Sequence, residues 1–346
     1  MNPVKNLCAK FPSVISQLRN VAGSTSKPDL RNLYLELEQI DPNLYRGHHL
    51  MRGRKSRDAV YGGQVIGQCL NAAARTVDTE FLPHSFHFIS SKLVTKPLPL
   101  IFCADQLISS GSVDSPILYS IDRVRDGRSF CTRSVKASQN GVPIFIAQVS
   151  FQKKEGDSIF HQCKFPEVPE PETLTDAWTL MKQALEDPAK QDSLSRRIIE
   201  YKYNDIPETF YQIFEASGSL MEIRVIKLSE IQCHVVGDQY SLHRSLAAYM
   251  SDSCMIETAL MPHIAAGFVP SMVFSLDHCI YFHSAEFRVD EWMLYEICSR
   301  KAGLLNSLSL WFQLVLERTR MHAFGHETKS LYCRQLRKES RARGSN

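Results

Sequence analysis

Tyr61-Gly-Gly-Gln-Val-Ile-Gly-Gln-Cys-Leu-Asn-Ala-Ala-Ala-Arg-Thr-Val77 is the stretch on which the fold turns. Behind its glycine pair, Val65, Ile66, Cys69, Leu70 and Ala73 recur at helical spacing, and the glycines mark places where something must approach closely. The segment predicts an alanine-rich helix of about four turns, suited to burial against a sheet. Gly62-Gly63 has two readings. Either the pair is a tight turn, or it presents backbone N–H groups at a helix N-terminus to a carbonyl or phosphate.

C-terminal to this helix the period changes from 3.6 to 2. Pro83–Ile89, Ser115–Arg125, Ser129–Ser138 and Pro143–Gln152 read as strands, and the turns Arg125-Asp-Gly127 and Gln139-Asn-Gly141 join the last three as hairpins. A helix followed by an antiparallel meander of long strands predicts an α+β fold with the helix lying on the sheet. His84 and His87, three apart on one strand, are expected on opposite faces in structural roles, and no metal site is predicted. N-terminal to the helix, Leu30–Ile40 reads as a helix or strand and Leu44–His49 as a short strand before a turn. Residues 1–29 carry Lys5, Lys10, Arg19 and Lys27 with no acid before Asp29, which fits a tail or, as an alternative, an organellar presequence.

Residues 154–205 read as a connection. Pro166-Glu-Val-Pro-Glu-Pro-Glu172 is followed by a polar helix through Trp178–Leu185 and a basic patch at Arg196-Arg197. Beyond it the pattern restarts: strands at Ile223–Leu228 and Ile231–Val236, a helix over 243–256, then strands at Met272–His283 and Glu291–Ser299. Helix and then strands occur twice, a weak internal duplication.

The second helix lies in His243-Arg-Ser-Leu-Ala-Ala-Tyr-Met-Ser-Asp-Ser-Cys-Met-Ile-Glu-Thr-Ala-Leu-Met-Pro262. Leu246, Ala247, Met250, Cys254 and Met255 form its apolar face, and Asp252 falls inside that pattern. Burying an unpaired carboxylate costs several kcal/mol or more. Asp252 is therefore either a capped aspartate at a helix bend or a carboxylate kept for chemistry.

At 346 residues, with 44% hydrophobic and 22% charged residues, the composition is that of an ordinary globular protein with room for two domains. A net charge of +3 is too small to imply a nucleic-acid partner; the basic residues concentrate between Arg334 and Arg343. No apolar run approaches the roughly 20 residues that span a bilayer, so stable membrane insertion is not expected. The 10 cysteines lack Cys-x-x-Cys pairs and fit a reducing compartment.

Several of these motifs, in this order, resemble one family. Tyr61-Gly-Gly-Gln-x-x-Gly-Gln-x-Leu70, Arg125-Asp-Gly-Arg-Ser-Phe130, Pro143-Ile-Phe-x-Ala-Gln-x-Ser-Phe-Gln152, Ser251-Asp252 and Ser275-Leu-Asp-His-Cys-Ile-Tyr-Phe-His283 are similar to those of the type II acyl-CoA thioesterases. The resemblance is to the peroxisomal acyl-CoA thioesterase 8 group and the bacterial thioesterase II proteins, over roughly residues 30–303. It implies a double hotdog, two antiparallel sheets each wrapped around a long helix, with domains at 30–153 and 206–346 and the connection at 154–205 between them. It also implies hydrolysis of fatty acyl-CoA by an Asp-activated water, with Asp252, Ser275 and a glutamine near the C-terminus as catalytic groups. Gly62, Gly63 and Gln64 are the implied substrate-binding residues, and no cofactor is implied. A non-catalytic double hotdog that binds acyl-CoA or a partner is the alternative. No Gly-x-Ser-x-Gly elbow is present, which disfavours an α/β-hydrolase route.

The chain departs from the family twice. It inserts Ser91–Ser110, and residues 304–346 diverge, replacing a Gln-Glu-Gly ending with an apolar run and a basic tail. Gln335 is the nearest candidate for the catalytic glutamine and Gln313 the next; with neither in place, the second half would lack its final strands. The final residues Gly344-Ser-Asn346 differ from the Ser-Lys-Leu type of peroxisomal signal. The peroxisome matrix is expected by resemblance, with the cytoplasm as alternative, and a homodimer or tetramer is expected from the architecture.

Overall fold

A computed structural model of the chain describes residues 35–54, 57–90, 111–156, 173–175, 177–187, 211–217, 221–228, 240–252, 263, 277–284, 287–289, 293–302 and 308–316. The glycine pair opens helix α1 (Gly62–Ala74). It follows strands β1 (Glu38–Asp41), β2 (Leu44–Gly47), β3 (Arg52–Arg54) and β4 (Arg57–Val60). After it come β5 (Phe81–Ser90), β6 (Ile117–Asp126), β7 (Phe130–Gln139) and β8 (Val142–Lys153); β6, β7 and β8 form a meander as expected, whereas β5 crosses over to pair with β8 and is not next to β6. Helix α2 (Ala177–Glu186) lies in the connection. The second half contributes β9 (Tyr211–Ser217), β10 (Met221–Leu228), α3 (Tyr240–Met250), β11 (Asp277–Tyr281), β12 (Met293–Ala302) and β13 (Leu308–Leu316).

One antiparallel sheet runs β1-β2-β6-β7-β8-β5-β11 and a second runs β13-β12-β10-β9. The first contains strands from both halves of the chain, because β11 pairs antiparallel with β5, His278 opposite Phe88 and Cys279 opposite His87. At the β7–β8 turn, Asn140 (φ 51°) and Gly141 (φ 78°) both take the left-handed conformation of a two-residue hairpin, as the Asn-Gly pair predicts.

Helix α1 is buried on more than the expected stripe: Gly63 through Leu70 are covered, including Gln64 and Gln68. Such a helix must satisfy its own polar side chains, since each buried group left unpaired costs about 1–3 kcal/mol. Gln64 accepts from the Met51 amide at 2.7 Å and donates to the His49 carbonyl at 2.6 Å. The Tyr119 hydroxyl donates to Gln68 at 2.5 Å. Asn71 and Arg75 donate to the carbonyls of Leu35 and Leu37, fastening the start of the domain to the helix. Burial pushes the Cys69 thiol and the Tyr119 hydroxyl well above their ordinary pKa values, so both stay protonated.

Just beyond α1, Arg133 on β7 is 1% exposed and fully satisfied. Its Nε donates to the Thr76 hydroxyl, Nη1 to the carbonyls of Arg125 and Thr132, and Nη2 to the Thr76 carbonyl and the Asp126 carboxylate. These contacts use all five donors of a guanidinium.

Several expectations need correction. Helix α3 begins at Tyr240 and ends at Met250, with Ser251 and Asp252 in the turn that follows, so Asp252 is not within the helix. The β3–β4 hairpin and β9 were not foreseen. The run after Gly303, equally suited to helix and strand, forms β13 and pairs with β12. The register of β5 slips between Pro83 and Ser85, breaking the alternation that would send His84 and His87 to opposite faces. Both imidazoles reach solvent, His84 edge-on to Phe130 and His87 edge-on to Tyr281, with His87 Nδ1 3.0 Å from Cys279 Sγ. The expected strand Ile231–Val236, the insert Ser91–Ser110 and the basic tail lie outside the described residues.

Candidate active site at the crossing of two helices

Helices α1 and α3 pack against each other in opposite directions, and glycines make the approach possible. A Cβ on Gly67 would stand 2.8 Å from the Ser245 carbonyl oxygen, and one on Gly63 only 2.3 Å from that of Tyr249. One turn further along, a Cβ on Gly62 would stand 2.8 Å from Oδ2 of Asp252. The chain after α3 therefore delivers a carboxylate to the first residue of α1. Real Cβ atoms essentially never come so close, so glycine at 62 is what lets the carboxylate sit there.

The electrostatics suit an anion. The first turn of α1 holds no acidic residue of its own, and its N-cap, Tyr61, makes no side-chain capping bond. Gln64 and Val65 donate their amides to the Tyr61 carbonyl, whereas the amides of Gly62 and Gly63, at the first two helical positions, have no intrahelical acceptor. The positive end of the helix macrodipole favours a negative charge at this place. Asp252 is half-buried, which leaves it open to a small reactant.

Tyrosines frame the crossing. Tyr61 and Tyr249 meet edge to face with centroids 4.9 Å apart, and the Tyr61 hydroxyl donates to the Tyr249 carbonyl at 3.4 Å. The Tyr249 hydroxyl donates to the Met51 sulfur at 3.8 Å. Behind Asp252, Ser251 contacts His278 of β11.

Of the residues singled out from sequence, Asp252, Gly62 and Gly63 come together here. Gln64 is adjacent in sequence, but its amide is engaged with the backbone of His49 and Met51. Ser275 and Gln335 lie outside the described residues. Gln313 sits on β13 at the register position opposite Glu296. Sequence reasoning missed Tyr61, Tyr249, Ser251 and His278 as parts of the site. His278 did leave a signal, a polar residue in phase with the buried Ile280 and Phe282.

A helix lying on a long antiparallel sheet, with a carboxylate brought from the second half to the helix N-terminus, defines an α+β protein with a site suited to polar chemistry on a carbonyl. Comparison with known proteins narrows this to one family. Residues 52–152 match the acyl-CoA thioesterase N-terminal domain and residues 195–309 the acyl-CoA thioesterase model. The chain is 36% identical over 282 residues to human acyl-coenzyme A thioesterase 8, covering 80% of this chain and 82% of that relative. Among solved structures it is similar to acyl-CoA thioesterase II TesB2 of Mycobacterium marinum, with a TM-score of 0.63 at 25% identity over 88% of this chain and 97% of the other. A protein with a hot dog fold from Alicyclobacillus acidocaldarius superposes with a TM-score of 0.60 at 11% identity, covering 89% and 99% of the two chains. The fold is that of the hotdog thioesterases, and the chain belongs to the type II acyl-CoA thioesterase family.

Proposed function

We propose that this chain hydrolyses fatty acyl-CoA to the free fatty acid and CoA, with Asp252 activating the attacking water. The observation that carries the reading is the Asp252 carboxylate held against Gly62 at the N-terminus of α1. A carboxylate there can hold a water and take its proton as the oxygen attacks the thioester carbonyl. Negative charge then develops on the carbonyl oxygen, and the Gly62 and Gly63 amides are the donors we assign to it. Collapse of the tetrahedral species breaks the C–S bond; the proton returns to the CoA sulfur, so one water and one thioester yield one acid and one thiol.

The family resemblance adds Ser275 and Gln335 as further partners of the water, and both belong to the proposal. Gln64 contributes to substrate binding by holding the His49–Met51 backbone. We assign the architecture to two hotdog domains, 30–153 and 206–346, an assignment supported by two separate family models, one matching residues 52–152 and the other residues 195–309, which begins in the last part of the connection. The resemblance to the peroxisomal group supports the peroxisome matrix as the compartment, and among the described residues no helix is long and apolar enough to cross a membrane. A homo-oligomer completes the proposal; light scattering at micromolar concentration is expected to show a dimer or tetramer, and a monomer there would remove that part.

The test is release of CoA thiol from a panel of acyl-CoAs by the wild type and Asp252→Asn. The variant is expected to bind acyl-CoA and release almost no thiol. Equal release by both proteins would overturn the role of Asp252.

A further inference from the structure

Behind Asp252 the chain carries a buried polar pair that the proposed reaction does not use. Ser251 is 4% exposed and His278 0%. Ser251 ends α3: its amide donates to the Ala247 carbonyl at 2.9 Å, and its hydroxyl donates to the Ala248 carbonyl at 2.7 Å. The hydroxyl thereby satisfies one of the carbonyls that the last turn of a helix leaves without an amide donor. A serine hydroxyl has a single proton. With that proton on Ala248, the 3.4 Å contact between Ser251 Oγ and His278 Nε2 has the ring N–H as donor and the hydroxyl as acceptor.

The imidazole that makes this contact is itself held in place. His278 lies opposite Phe88 across the β11–β5 pairing, and the two rings stack with centroids 5.1 Å apart and planes 26° apart. The residue immediately before Asp252 is therefore tied to its own helix and to a strand, while Gly62 stands at the Asp252 carboxylate. The distances, 2.7 Å from Ser251 Oγ to the Ala248 carbonyl against 3.4 Å to His278 Nε2, favour this arrangement over a nucleophilic serine beside a histidine. In a nucleophilic dyad the hydroxyl proton points to the imidazole. Here it points to a carbonyl, and the oxygen is buried.

We propose that His278, acting through Ser251, is a positioning residue that fixes the Asp252 carboxylate against the N-terminus of α1. The proposal rests on the reading of Asp252 as the group that activates water. Its leverage is geometric, because a displacement of about 1 Å in a reacting group costs roughly 10²-fold in rate. Such a displacement acts on the chemical step far more than on binding of the acyl chain and CoA, so it should appear in kcat rather than in KM.

The experiment measures thiol release from one acyl-CoA at varied concentration, with a thermal melt for each protein, for Ser251→Ala, Ser251→Thr, His278→Ala, His278→Gln and Asp252→Asn. Ser251→Ala and His278→Ala are expected to lower kcat by about 10- to 100-fold with KM changed by no more than about twofold. Ser251→Thr keeps the hydroxyl, and His278→Gln places an amide N–H where Nε2–H stood, so both should recover most of the loss. A purely structural role would move the melting temperature without this split or this pattern of rescue. Should His278→Ala fail to fold, the Ser251→Ala and Ser251→Thr pair decides. Wild-type kcat in Ser251→Ala beside an inactive Asp252→Asn would overturn the inference alone. An active Asp252→Asn would overturn the reading beneath it.

Discussion

Gly62 and Gly63 are neighbours in sequence, yet they are glycine for different reasons, and substitution separates the two. A methyl at 62 meets the far end of the Asp252 side chain at 2.8 Å, which can move aside. Gly62→Ala should therefore fold normally and lose roughly 10²-fold in kcat, read by thiol release at saturating substrate. A methyl at 63 meets the Tyr249 backbone carbonyl at 2.3 Å and the Tyr61 ring at 2.5 Å. The ring can swing but the carbonyl yields only if a helix moves, so Gly63→Ala should cost about 1–3 kcal/mol in stability, read from the urea midpoint. Sequence alone offered a tight turn or an anion-facing backbone for this pair, and close approach and polar contact turn out to divide between its two members. Asp252 was legible as a carboxylate out of place on an apolar pattern. That it meets Gly62 was not, because contact between residues so far apart in the chain is set by helix packing and leaves no local trace. The bonds of the Gln64 amide to the backbone of His49 and Met51 were not legible either, because a buried amide clamping backbone looks the same in sequence as one facing a ligand.

Among the elements, β7 and β5 carry the sharpest predictions. The five satisfied donors of Arg133 tie the end of α1 to β6 and β7. A lysine offers three donors from one point, so Arg133→Lys strands several acceptors and should destabilise the fold by about 3 kcal/mol or more in denaturant unfolding. On β5, burial lowers the pKa of both His84 and His87 below the ordinary histidine value of 6.5. The folded chain then binds these protons less readily than the unfolded chain does. Stability is present above the unfolded value and is lost as pH falls through it toward the folded values. Urea melts between pH 5 and pH 8 should show this decline, and the double variant His84→Gln, His87→Gln should flatten it. Alternation and the Asn-Gly turn made the strands β5 to β8 legible, but not the slip of β5 between Pro83 and Ser85. The run that becomes β13 fits both periods, and it is the pairing with β12 that selects a strand. The end of α3 was overrun because Cys254 and Met255 continue the apolar period past the point where the helix described ends, at Met250.

Across the whole molecule, the repeated order of helix and strands predicts two halves, but not how they join. Among the described residues, α1 crosses α3 through glycines and β11 of the second half extends the sheet of the first. The second joint is what sequence could not show, since a five-residue strand carries no mark of which sheet edge it will pair with. The shared sheet also makes covalent continuity between the halves dispensable once they have met, because five register pairs and the buried His278–Phe88 stack hold β11 to β5 without help from the connection. The gene should therefore tolerate being cut in two. Residues 1–172 and 188–346, co-expressed as separate polypeptides, should assemble and release thiol from acyl-CoA, while neither fragment does so alone, because one brings the helix N-terminus and the other the carboxylate.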